Sequence, residues 1–269
     1  MSTSCLNCGA DLPESYKYCP NCSQKKDIHR LSFHDLLHDA IHYFTHADKG
    51  IFHLLKALAT KTGTVAREYV DGKRKKYFPP LNFYLIVATL MVLSMTTLQK
   101  QDSSEVAKEI PELSNIADPA RRQQVTRIYE RRAEAMRFTS RYSNVLSFIA
   151  LPLIAFVYWL FYLKARFNYI EHLIAGMYMI GFTNLFYLLI FAPLAKLLAG
   201  GQTRLHIGIF FLIQMAYFGI YYYGFINRPG KGALAKAFGV SLLSVVLWAA
   251  LTSAAIGLYI TNGFWGLVH

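Results

Sequence analysis

The stretch Arg67–Leu85, REYVDGKRKKYFPPLNFYL, decides how the rest of the chain is read. Arg67, Lys73, Arg74, Lys75 and Lys76, with Lys61 just upstream, crowd against the start of a long apolar run, and Tyr77, Phe78 and Tyr84 stand at its boundary. Basic side chains stay on the cytoplasmic side of a bilayer, and aromatic rings favour the headgroup level. Pro79-Pro80 marks the junction, where a proline's missing N–H breaks no helical bond. The stretch therefore predicts the cytoplasmic end of a first membrane helix, Leu81 to Leu98, with a basic collar that binds lipid headgroups through Arg67, Lys73, Arg74, Lys75 and Lys76.

Downstream, four more apolar runs follow, at Val145–Leu163, Leu173–Leu194, His206–Ile226 and Phe238–Ile260. Each approaches the ~20 apolar residues that a bilayer-crossing helix needs. With 54% hydrophobic residues in a chain of 269, the predicted fold is an all-α polytopic membrane protein. Five transmembrane helices occupy 79–269, with a polar loop at 99–142. Counting spans places the loops at Lys164–Arg166 and at Arg228, Lys231 and Lys236 inside with the N-terminus, and the C-terminus outside. No secretory signal peptide precedes Leu81, so the first span also directs insertion. The arginines of the 99–142 loop (Arg121, Arg122, Arg127, Arg131, Arg132, Arg137 and Arg141) fall outside by this count, in tension with the positive-inside rule. Glu130 and Glu134 at helical spacing from several of them predict a solvated helix with local ion pairs. Pro152 and Pro193 predict kinks, and Tyr217, Tyr221, Tyr222 and Tyr223 predict an interfacial aromatic belt.

The net charge is +12. Nucleic acid and anionic lipid are the two partners such a charge suggests. The Lys and Arg residues cluster beside span ends, which favours lipid and topology over nucleic acid.

Upstream of the collar, the four cysteines form the pattern C-x2-C-x10-C-x2-C at Cys5, Cys8, Cys19 and Cys22. Each C-x2-C pair makes a knuckle that points two thiolates at one ion, and two knuckles close a tetrahedral structural Zn2+ site. Gly9 suits the turn after the first knuckle, and Ser23 takes the equivalent place after the second. Residues 1–26 are thus a zinc ribbon, in which the metal supplies most of the folding energy. Reduced thiols argue for the cytoplasm.

A polar linker, Gln24 to Arg30, leads to 31–78, predicted as amphipathic interfacial helices ending in the collar. Ser32 and Asp35 begin the first of them with a capping-box pattern. His34, His38, His42 and His46 recur every four residues beside its apolar face. Such a stripe reads as a headgroup-facing polar surface, as a metal site or as a pH-responsive face. Beyond Asp48-Lys49-Gly50, a second and a third short helix form a surface-lying hairpin of amphipathic helices that packs under the membrane bundle.

His46-x-Asp48-Lys49-Gly50, then Arg67-Glu68-Tyr69-x-x-Gly72-Lys73-Arg74-x-x-Tyr77 before a membrane helix, and Asn168-Tyr169-x-Glu171-His172 further on, together resemble a bacterial family of zinc-ribbon membrane proteins of unknown function. Thr62-Gly63 stands where that family usually has Pro-Gly. The resemblance implies no particular activity. In outline the architecture is also similar to the Yip-type membrane proteins.

No charged residue lies deep in a predicted span, and no Gly-rich phosphate loop, serine elbow or H-E-x-x-H motif occurs. The sequence carries no enzyme signature. Glu171-His172 shares the predicted inner side with His42, His46 and Asp48, so a second metal or phosphate site at those five residues is one reading. A helix cap at Glu171 and an interfacial His172 is the other. The functional expectation is a scaffold in an inner membrane whose ribbon meets a cytosolic protein partner. A membrane-embedded metal-dependent or lipid-handling protein is the alternative, and the oligomeric state stays open.

Overall fold

The computed structural model describes residues 4–13, 15–36, 50–98, 118–141, 143–199 and 203–262. The elements are α1 (Gly50–Thr60), α2 (Thr64–Val70), a 3-10 turn at Arg74–Lys76, α3 (Pro80–Leu98), α4 (Pro119–Arg141), α5 (Ser143–Phe161), α6 (Tyr169–Phe186), α7 (Ala192–Ala199), α8 (Thr203–Ile226) and α9 (Lys231–Asn262). Among the described residues no strand forms, and the ribbon contributes only two isolated antiparallel bridges, Ser4 with Asp11 and Tyr18 with Lys25. Four stretches are long and apolar enough to cross a membrane: Arg74–Ser94, Tyr169–Leu194, Gly208–Ile226 and Lys231–Thr261. The remaining expected span falls on α5, where the apolar helix over Phe148–Phe161 is shorter. The fold is an all-α polytopic membrane protein.

The chain divides into two units, one of residues 1–87 with 151–244 and one of residues 88–150 with 245–269. In the first unit the α1–α2 hairpin belongs to the core. Leu54 and Leu58 of α1, four residues apart and so on one face, have no exposed surface, nor do Val65 and Ala66 of α2. Phe52 lies on the other face of α1 and is exposed. The hairpin is therefore amphipathic, and its apolar face meets protein. A β-carbon at Gly63 would stand only 1.8 Å from the Tyr221 carbonyl oxygen and 2.6 Å from the Phe225 nitrogen, so the turn sits against the main chain of α8. Two tyrosines hold this arrangement. Tyr178 of α6 donates to the Phe78 carbonyl at 2.6 Å, and Tyr217 of α8 donates to that of Leu58 at 3.3 Å.

Tyr221 and Tyr222, expected in an interfacial belt, are wholly buried. Tyr222 stacks on Tyr158 at 3.4 Å between centroids, and the Tyr158 and Ser241 hydroxyls lie 2.6 Å apart, joining α8, α5 and α9. Pro193 follows a π-helical segment at Tyr187–Phe191 that links α6 to α7. A proline removes one helical N–H and presses on the carbonyl four residues back, and widening the preceding turn relieves both.

In the second unit, Arg131 of α4 donates to the carbonyls of Thr261 at 3.0 Å and Ile260 at 3.4 Å, and Tyr259 donates to Glu134 at 2.6 Å. These carbonyls are the unsatisfied last acceptors of α9, where a cation also meets the negative end of the helix dipole. That contact gives one arginine of the polar loop a role other than setting orientation.

Candidate metal centre and its docking on the collar

The two knuckles are built alike. The Cys5 N–H donates to the Ala10 carbonyl and the Gly9 N–H to that of Cys5, both at 2.8 Å. In the second knuckle the Cys19 N–H donates to Gln24 at 2.8 Å and the Ser23 N–H to Cys19 at 2.9 Å. Gly9 (φ 75°) and Ser23 (φ 57°) share the left-handed conformation that closes each turn, so Ser23 occupies the position where glycine is the unstrained choice. The turns bring the four sulfurs within 4.8 Å of one another, with Cys5–Cys22 and Cys8–Cys19 each at 3.6 Å. A zinc–sulfur bond of about 2.3 Å in tetrahedral geometry requires sulfurs roughly 3.8 Å apart. The four thiols thus fit a closed tetrahedral metal ion. The Ala10 N–H points at the Cys8 sulfur and is the main reason its thiol is brought down to about 6, outweighing burial. Leu12 and the buried Cys5 and Cys19 make the small core around this cluster, with Ala10 and Cys22 packed on it.

The ribbon docks on the collar through residues that the sequence presents as a linker. Gln24, buried, accepts from the Lys75 N–H at 3.2 Å, and Arg74 donates to the His29 carbonyl at 2.8 Å. Leu6 and Ile28 close over Gly72, where a β-carbon would lie 3.2 and 3.3 Å from their methyl groups. Arg30 grips Glu171 with two parallel bonds, Nε to Oε1 and Nη2 to Oε2, both at 3.0 Å. Ser32 and Asp35 form the expected reciprocal cap: the Ser32 N–H reaches Asp35 at 3.0 Å and the Asp35 N–H returns to Ser32 at 3.3 Å. The Ser32 hydroxyl, ahead of its N–H and of His29, holds the Asp35 carboxyl below the usual range against burial.

Within the collar, Glu68 organises the cations. Lys76 and Tyr77 donate to its Oε2, each at 2.5 Å, and Lys73 donates to Oε1 at 3.2 Å. Burial alone would raise this carboxyl, but the three donors win and hold it at about 2. Lys73 and Lys76 are therefore partly neutralised. Arg67 has a buried Nη1 with no hydrogen-bond partner, and the buried Nε of Arg74 also lacks one. Asp71 pairs with Arg166, whose guanidinium lies over Phe167 at 4.7 Å.

Glu171 and His172 do different things. Glu171 completes a capping box at the start of α6: its N–H donates to Asn168 Oδ1 at 2.8 Å, and the Asn168 N–H donates to its Oε2 at 2.6 Å. With Arg30 on the same carboxylate, this buried acid is well satisfied. His172 has no exposed surface and lies among the rings of Tyr162, Phe167, Tyr222 and Phe225. Its Nδ1 is 3.4 Å from the Tyr222 hydroxyl, and its Nε2 has no partner. His42, His46 and Asp48, the other members of the expected second site, lie outside the described residues, as does the rest of the histidine stripe beyond His34. The sequence reading missed Gln24, Arg30, Asn82 and Ser241 among the buried or bonded polar groups, and also the Asn168 half of the Glu171 cap, whose three-residue offset was a local signal for it.

Residues 48–92 match the family model described as "Protein of unknown function (DUF3667)". That segment covers α1, α2, the collar with Glu68, and the first turns of α3. It starts after the ribbon, so the matched pattern is the buried hairpin and the collar on which the ribbon docks. No curated protein and no solved structure matches the chain.

Proposed function

We propose that this is a membrane-anchored interaction module in which a structural zinc ion holds the ribbon as a fixed cap over a basic collar. Its N-terminus is cytoplasmic in an inner membrane, its exposed ribbon surface meets a cytosolic protein, and the collar engages anionic headgroups. The observation that carries this reading is the four-thiol cluster together with its docked position. Four sulfur ligands leave no open coordination position for substrate or water, so the metal's contribution is folding energy. The crowding of Arg67, Lys73, Arg74, Lys75 and Lys76 just before α3 supports headgroup binding at the collar.

The test is metal content of the detergent-solubilised protein. Wild type is expected to carry one zinc per chain, and a variant with all four cysteines changed to serine none. Metal retained by that variant would overturn the reading. It would move a site built from His42, His46, Asp48, Glu171 or His172, and with it a metal-dependent enzyme, to the front.

A further inference from the structure

α5 ends at Phe161, α8 ends at Ile226 and α9 begins at Lys231. Near these ends lies a cavity of about 220 Å³ lined by Tyr162, Tyr223, Ile226, Arg228, Gly232 and Lys236. No acidic side chain lines it. Arg228 donates one N–H to the Lys164 carbonyl at 3.0 Å, and Lys236 donates to that of Phe161 at 2.7 Å while lying 4.7 Å over the Tyr162 ring. Those carbonyls and the ring position the two cations without neutralising them. A guanidinium has five N–H donors and an ammonium three, so most remain for another acceptor. Neither cation joins any of the ion pairs among the described residues.

The first turn of α9 adds to the same wall. The amide N–H groups of Gly232 and Ala233, at its second and third positions, precede the first residue that can reach a carbonyl within the helix. A β-carbon on Gly232 would meet nothing within 4 Å, so the approach to this main chain is open. Unsatisfied amides at a helix start favour an anion. The cavity is smaller than the ~300–1,000 Å³ typical of sites for drug-sized molecules, which suits a small charged group.

We propose that this cavity binds a phosphate group, carried by an anionic phospholipid headgroup or free in solution. Arg228 and Lys236 hold its oxygens, and the Tyr162, Tyr223 and Ile226 side chains face what is attached to it. The site uses none of the collar residues Arg67 to Lys76 and none of the ribbon.

The test uses the full-length protein in detergent micelles. Phosphatidylglycerol, phosphatidylcholine and inorganic phosphate are titrated separately, following the shift of the unfolding midpoint and, for lipids, retention in native mass spectrometry. Wild type is expected to bind phosphatidylglycerol and not phosphatidylcholine. Binding of inorganic phosphate as well would identify the free anion as sufficient, and its failure to bind would identify the headgroup as the source. Arg228→Gln with Lys236→Gln is expected to weaken binding about tenfold or more, because two charge-assisted contacts are lost. Gly232→Leu, which keeps both cations and fills the open space, is expected to do the same and decides the matter if the double variant does not fold. Lys56→Gln, on the exposed face of α1 and in neither the collar nor this cavity, is expected to leave this binding unchanged. Three results would overturn the proposal: no wild-type binding of phosphatidylglycerol or phosphate, unchanged binding in Gly232→Leu and the folded double variant, or loss in Lys56→Gln alone.

Discussion

Replacing Gly63 by alanine tests how the α1–α2 hairpin is seated. Gly63 has φ −65° and ψ −14°, a conformation that alanine adopts freely, so the substitution carries no backbone strain of its own. Its cost is the contact. The new β-carbon would stand 1.8 Å from the Tyr221 carbonyl oxygen. Comfortable heavy-atom contact lies near ~3.5 Å, so the pair is roughly 1.7 Å too close. The obstacle is helix main chain, not the tip of a side chain, and it cannot rotate away. The hairpin must lift, which loosens the seat of Leu58, Val65 and Ala66, all without exposed surface. Overpacking typically costs ~1–3 kcal/mol, and an unyielding backbone neighbour puts this change at about 3 kcal/mol or more. Gly239→Ala in α9 is the control, because a β-carbon there meets nothing within 4 Å. It is expected to be neutral or to stabilise by roughly 0.5–1 kcal/mol. The assay is thermal unfolding of the detergent-solubilised protein by size-exclusion recovery at one fixed heating time, since such unfolding is governed by rate. A Gly63→Ala protein that melts with wild type would refute the seating of the turn against α8.

Thr62 is a β-branched residue at φ 46°, so Thr62→Asn, which tolerates the left-handed region, is expected to stabilise by about 1 kcal/mol in the same assay. Proline at Thr62, with φ locked near −65°, is expected to destabilise by more than that. Glu68 has its carboxyl lowered from 4.5 to about 2, so the stability it contributes is full above pH 4.5 and is lost as pH falls towards 2. Glu68→Gln should flatten the melting profile across that window, and an unchanged profile would count against the Lys73–Lys76–Tyr77 cluster. Arg30→Met leaves the buried Glu171 carboxylate with only its helix-cap partner, at a cost of about 1–3 kcal/mol, and is expected to expose the 24–36 segment to limited proteolysis. Chelation of zinc is expected to make the same segment cleavable in wild type, whereas a cleavage pattern unaffected by chelator would separate the ribbon's docking from its metal.

Patterns that depend on neighbours along the chain were legible. The spacing of Cys5, Cys8, Cys19 and Cys22 leads straight to a four-sulfur cluster, because each knuckle is a local turn. Ser32 and Asp35, three positions apart, make a local cap and appear as one. The apolar run after Pro80 becomes α3 because hydrophobicity and helix periodicity are properties of the segment itself. Contacts between distant segments left little trace. Gln24 and Arg30 look like any polar linker, yet the partners of Arg30 are Glu171 and Arg166, 141 and 136 residues away. The α1–α2 hairpin shows the limit of amphipathicity as a guide: an apolar stripe says that a face is covered without saying whether lipid or protein covers it.

By itself the sequence determined the helical membrane class, the cysteine cluster and the cation-rich approach to α3. Composition, periodicity and short-range turn chemistry carry those features. Only the tertiary structure decided that the ribbon lies on the collar, that Glu68 gathers Lys73, Lys76 and Tyr77, and that Tyr221 and Tyr222 are core residues. Whether a tyrosine faces headgroups or another helix depends on which surface arrives opposite it. That surface comes from a distant part of the chain, brought there by the collective fit of many side chains.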